Sequence, residues 1–145
     1  MSAYKHLLIA VDFSANSDDV ISKGMALAEA FDARISLVNV VEFVQVDLSN
    51  ELVMPQELEL DQELLTQAGK RLEEVAEKHG LGERPRHVRQ GSTKREILQL
   101  AEQENIDLIV VGSHGRSGIQ LLLGSTANAV LHGAPCDVLA VRVKR

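Results

Sequence analysis

The sequence predicts an α/β protein: a doubly wound parallel sheet of five strands, spatial order 3-2-1-4-5, with helices on both faces. Three observations carry that expectation. Short runs of Val, Leu and Ile alternate along the chain with longer stretches whose apolar residues recur at helical spacing. Two of the short runs, HLLIAV at 6–11 and DLIVVG at 107–112, are almost unbroken in apolar character, as expected of strands covered on both faces. Aromatic residues make up only 3% of the chain and Trp is absent, so the layers must pack through Val, Leu, Ile and Ala.

Taken in order, residues 6–11 form the first strand. The following helix is marked by Ile21, Met25, Ala28 and Phe31 after a Ser-, Asn- and Asp-rich start able to cap it. ISLVNVV at 35–41 is the second strand. A long helix from about Glu57 to His79 carries Leu65, Ala68, Leu72, Val75 and Ala76 on one face. Its acidic beginning and its basic end, Lys70, Arg71, Lys78 and His79, suit the helix dipole. RHVRQG at 86–91 reads as a polar strand at a sheet edge. The next helix opens at STKRE, where Thr93 and Glu96 have capping-box spacing, and continues through Ile97, Leu98 and Ala101. The fourth strand is 107–112, and the fourth helix runs from about Ser125 to His132, stopped by Gly133 and Pro135. DVLAVRV at 137–143 closes the sheet. Glu42–Gln56 is too long for a bare connection and is expected to be a mobile surface loop.

Length and composition bound the function. The 145 residues suit one domain, residues 1–145, with a core of its own. The net charge of -6 argues against nucleic acid as the main partner. Acidic residues crowd Ile35–Gly69, where no Lys or Arg occurs. Cys136 is the only cysteine, which excludes an intrachain disulfide and fits a reducing compartment. The apolar run at the start stops at Asp12, too soon for a signal sequence, and no stretch reaches membrane-spanning length. A soluble cytoplasmic protein is expected.

The stretch VGSHGRSGIQLLLGSTANAV, residues 111–130, holds four of the ten glycines. In an open parallel sheet, ligands sit beyond the carboxyl ends of the strands where the strand order reverses, here between the first and fourth strands. Gly112 ends the fourth strand there, and Asp12 ends the first. Gly112, Gly115 and Gly118 allow positive φ and bring backbone N–H groups close to an anion. Gly124, Ser125 and Thr126 then open a helix whose hydroxyls and first amides could converge on phosphate. A structural reading stands beside this one: glycines after a buried strand make turns, Gly-Ser-Thr caps helices, and Asp12 caps the turn it begins. Neither GxxxxGK[ST] nor GxGxxG occurs, and no lysine lies between Ile97 and Val143. Binding is therefore expected rather than phosphoryl transfer, with a slow ATPase as the most catalysis the chain would support.

KHLLIAVDFSANS near the start, DLIVVGSHGRSGIQLLLGSTANAVL and the ending APCDVLAVRV together resemble the universal stress protein family along the whole chain. The resemblance implies a Rossmann-like nucleotide-binding domain, cytoplasmic location, homodimers and, in one branch, ATP or AMP binding, with Mg as a possible companion. It implies that Asp12 meets the ribose or adenine, that the backbone near Val41 meets adenine, and that Gly112, His114 and Gly115 line the phosphates. Gly124, Ser125 and Thr126 would close on them, with Ala10, Val11, Val40 and Val111 completing the lining. In the ATP-binding branch nine residues stand between the second and third glycines. Here eight residues, Arg116 to Leu123, separate Gly115 from Gly124. Arg116, the only cation in that loop, reads equally as a phosphate contact and as a solvated side chain.

The other histidines, His6, His79, His87 and His132, lack ligand spacing. Cys136 reads as a small buried residue. An apolar last strand at a sheet edge invites aggregation unless covered. Pairing with the same strand of a second copy, through Val138, Leu139, Ala140, Val141 and Val143, would cover it. Two functions compete: a regulatory adenine-nucleotide-binding protein, and a dimeric interaction protein that binds no nucleotide.

Overall fold

The computed structural model describes residues 3–42, 55–113 and 125–142, and for 55–61 and 125–126 the backbone alone. Elements follow in the order β1 (His6–Ala10), α1 (Ser17–Phe31), β2 (Arg34–Val41), α2 (Pro55–Lys78), β3 (Arg86–Gln90), α3 (Thr93–Gln103), β4 (Leu108–Gly112), α4 (Ser125–Gly133) and β5 (Asp137–Val141). All four pairings are parallel, and the strand order is β3-β2-β1-β4-β5, as the sequence predicts. Of the expected loop Glu42–Gln56, residues 43–54 lie outside the described residues, while Pro55 and Gln56 already belong to α2.

Strand alternation explains the unbroken apolar runs. Leu7 and Ile9 point to one face, where they pack with Val20, Ile21 and Ala28 of α1 and Leu72 and Ala76 of α2. Leu8 points to the other and meets Ile97, Leu100 and Ala101 of α3 and Ala127 and Val130 of α4. All three β1 residues are fully buried. Each contributes about 1.5–3 kcal/mol of transfer free energy, so β1 is the axis on which both layers are built.

Polar groups lock the strands at their starts. The Asp107 carboxylate accepts the backbone N–H groups of Lys5 (2.8 Å) and His6 (3.0 Å), tying the beginnings of β1 and β4 together. Buried His6 shares a hydrogen bond between Nε2 and Ser36 Oγ on β2 at 2.7 Å, and its Nδ1 lies 3.3 Å from the carbonyl of Glu104. Burial pushes the His6 pKa down, with Arg34 adding to the effect.

Two caps differ from the sequence expectation. The α3 N-cap is Ser92, with no side-chain cap bond. Thr93 instead donates its hydroxyl to Glu42 Oε1 at 2.7 Å, so the expected capping box does not form. Asn16 caps α1, again without a side-chain bond. The side-chain acceptors for the α1 entry come from further back, as described below.

The two edges of the sheet differ in chemistry. β3 carries Arg86 and Arg89, and such charges discourage edge-to-edge pairing. β5 presents Val138, Leu139 and Ala140, all partly exposed.

Candidate functional site

The order of the sheet reverses direction of winding between β1 and β4, so the crevice beyond their carboxyl ends is where the topology opens a ligand site. Register with β2 ends at Ala10, opposite Val38. One further bond, from Val11 N–H to the Val38 carbonyl at 2.8 Å, holds the strand before it turns away. Asn39, buried, donates Nδ2 to the Val11 carbonyl at 2.7 Å, so a side chain of β2 replaces the next rung of the ladder.

The turn itself is tight. Phe13 takes φ 61, in the left-handed region. A bulky side chain there costs about 1–2 kcal/mol, and such strain concentrates where a chain must aim a group. Phe13 packs against the α1/α2 core, and the Arg71 guanidinium of α2 sits 4.4 Å above its ring centre. Asp12, just before it, points one oxygen into the turn. Oδ1 accepts the Ser14 N–H at 3.0 Å and the Ser17 hydroxyl at 3.1 Å. Among the described residues no group bonds Oδ2. Asp12 therefore does cap the turn, with its second carboxylate oxygen unbonded among the described residues.

On β2, the Val38 carbonyl faces β1, so the backbone of Val40, two residues on, faces the same side beyond the point where β1 has left. Val41 faces β3, and its carbonyl accepts from Gly91 N–H at 3.0 Å. On β4, Val111 is buried in the α3/α4 layer, Gly112 ends the strand, and Ser113 N–H bonds the Val141 carbonyl at 2.8 Å. The structure thus brings Ala10, Val11, Asp12, Val40, Val111 and Gly112 to one end of three adjacent strands. His114, Gly115, Arg116, Gly118 and Gly124 lie outside the described residues. Ser125 and Thr126 are the first two residues of α4, their side chains outside what is described.

Sequence reading missed Asn39, Phe13, Ser17 and Arg71 here. Asn39 had a signal, being the one amide in the apolar run ISLVNVV. The roles of Phe13 and Arg71 depend on a contact between residues 58 positions apart, which no local pattern carries.

An open parallel sheet in the order β3-β2-β1-β4-β5, with its switch point between β1 and β4, defines a doubly wound α/β protein. The profile of the universal stress protein family matches residues 3–142. Universal stress protein A homolog 1 of Coxiella burnetii is 41% identical over 97% of this chain and 98% of its own. Homolog 2 of the same organism is 42% identical over 99% of both. The chain belongs to the universal stress protein family. Among solved structures, universal stress protein UspA from Lactobacillus plantarum superposes with a TM-score of 0.79 at 22% identity, covering 99% of this chain and 100% of that one. A universal stress protein solved in complex with cAMP has a TM-score of 0.65 at 24% identity, covering 99% of this chain and 100% of that one. Among the described residues, no helix is long and apolar enough to cross a membrane.

Proposed function

We propose that the protein binds an adenine nucleotide, ATP or AMP, in the crevice between β1 and β4, and that it acts by reporting nucleotide occupancy rather than by catalysis. The observation that carries this reading is Asp12, pinned by one oxygen at the end of β1 and with no described partner on the other. A carboxylate accepts hydrogen bonds only, so it suits the hydroxyls of a ribose. The Val40 backbone, left without a β1 partner, suits the hydrogen-bonding edge of a base. Gly112, His114, Gly115 and Arg116 follow β4 in sequence, and Gly124, Ser125 and Thr126 lead into α4, where glycine backbone and helix amides suit phosphates. Magnesium would arrive on the phosphate oxygens, its usual ligands. Hydrolysis, in this reading, is at most slow. A fold neighbour solved in complex with cAMP supports this reading. The lone cysteine fits a cytoplasmic location.

The test is Gly115→Val with ATP and AMP titrated by calorimetry. Binding heat in the wild type and its loss in the variant is the expected result. Equal binding by both removes the glycine segment from the site.

A second feature supports a homodimer. β5 is an apolar edge whose Val138, Leu139 and Ala140 are partly exposed, while the opposite edge is charged. We propose that β5, through residues 138–141, pairs with the same strand of a second copy; Val143, also expected there, lies outside the described residues. If the crevice holds no nucleotide, this dimer is the function that remains: an interaction protein working through its surface.

A further inference from the structure

We infer that Ser17 is a positioning residue for the ribose of the bound nucleotide, acting through Asp12; this rests on the nucleotide reading above. The carboxyl torsion of an aspartate is broad, so a single donor leaves the group free to swing. The Ser14 N–H, only two residues on, supplies one such donor at 3.0 Å. The Ser17 hydroxyl supplies a second, to the same oxygen, at 3.1 Å.

Ser17 differs from Ser14 in what holds it. It is the first residue of α1 and only 6% exposed, so its hydroxyl is fixed by a 15-residue helix anchored in the core through Val20 and Ile21. The helix start is further tied by the Ser17 N–H to the Ser14 carbonyl at 3.1 Å. Two donors on Oδ1, one from the turn and one from the helix, orient the carboxylate and leave Oδ2 with no described partner. An acceptor held in this way discriminates for ligand hydroxyls: it gains nothing from a sugar that lacks them.

The experiment compares ATP with 2′,3′-dideoxy-ATP by calorimetry on the wild type, Ser17→Ala, Asp12→Ala and the double variant. Ser17→Ala is expected to weaken ATP about fivefold, with dideoxy-ATP changed less than about twofold. In the Asp12→Ala background, Ser17→Ala is expected to add no further loss. Ser17→Cys, close in volume and a weaker donor, is expected to fall between wild type and Ala; it carries the test if Ala at this buried position impairs folding. Equal losses for ATP and dideoxy-ATP, or no loss for either, overturn the assignment and leave Ser17 as a helix-start residue. A wild type that binds neither nucleotide overturns the nucleotide reading itself, and this inference with it.

Discussion

Gly24 lies in the middle of α1, where Ala would ordinarily strengthen a helix by about 1 kcal/mol. Here the opposite is expected. A Cβ at Gly24 would stand 2.6 Å from Ile9 Cδ1 and 3.0 Å from Ile9 Cγ1. Ile9 is fully buried in the sheet's axis, with Val110 Cγ1 also 3.8 Å from the added Cβ, so its side chain must shift within a packed layer. Relieving such an overlap costs about 1–3 kcal/mol, more than the helix gains. Gly24→Ala should therefore destabilise by up to about 2 kcal/mol. Ile9→Val alone, which removes the offending methyl, should cost about 1 kcal/mol. In the double variant the new methyl fills the space the old one vacates and the helix gain survives, so the pair should be within about 1 kcal/mol of wild type. Urea unfolding followed by circular dichroism measures all four corners of the cycle. Additivity within about 0.5 kcal/mol, or a stabilised Gly24→Ala, would refute the packing argument.

Other outcomes follow from the same geometry. Asp32 ends α1 at φ 52 with an exposed side chain, and its negative charge opposes the helix dipole there. Asp32→Gly should raise the melting temperature by about 3 °C, measured by thermal unfolding. Burial lowers the pKa values of His6 and of His87, whose Nε2 is buried and unpartnered among the described residues. Around His6, Arg34 works with burial while Glu104 and Asp107 oppose it; around His87, Arg89 works with burial and Glu104 opposes it. The folded state resists protons that the unfolded chain accepts near pH 6.5, so stability should hold above that value and fall as pH drops below it. His87→Leu should flatten the decline between pH 7 and pH 5 in urea midpoints; an unchanged slope would show that His87 does not contribute. Asp18, held low by Lys78 and His79, acts in a separate, more acid window below the ordinary carboxylate pKa. Leu139→Arg in β5 should convert a dimer to a monomer in sedimentation velocity, while a wild type that sediments as a monomer at micromolar concentration contradicts the proposed pairing.

Much of this architecture is written in local patterns. The apolar runs of β1 and β4 announce strands buried on both faces, and the helical spacing of Ala68, Leu72 and Ala76 announces the buried side of α2. Pro55 at the first position of α2 is itself a helix-start signal, so the helix begins two residues before the first expected one, Glu57. What local patterns do not carry is the competition for side chains over distance. Thr93 leaves its capping box for Glu42, 51 positions away. Asp12 turns one oxygen to Ser17 because Phe13 enters the left-handed region and folds the chain back toward α1. Asn39 reaches β1 because the ladder stops one residue earlier than the apolar run does. The strand order and the place of the crevice are thus legible in sequence, while the wiring around Asp12 belongs to tertiary structure.

The central claim is that the crevice beside Asp12 receives an adenine nucleotide. Calorimetric titration of the intact protein with ATP, with and without magnesium, tests it most directly. Saturable heat at one site per chain, weakened by Asp12→Ala, is the predicted result. No heat and no thermal shift at millimolar ATP would contradict it.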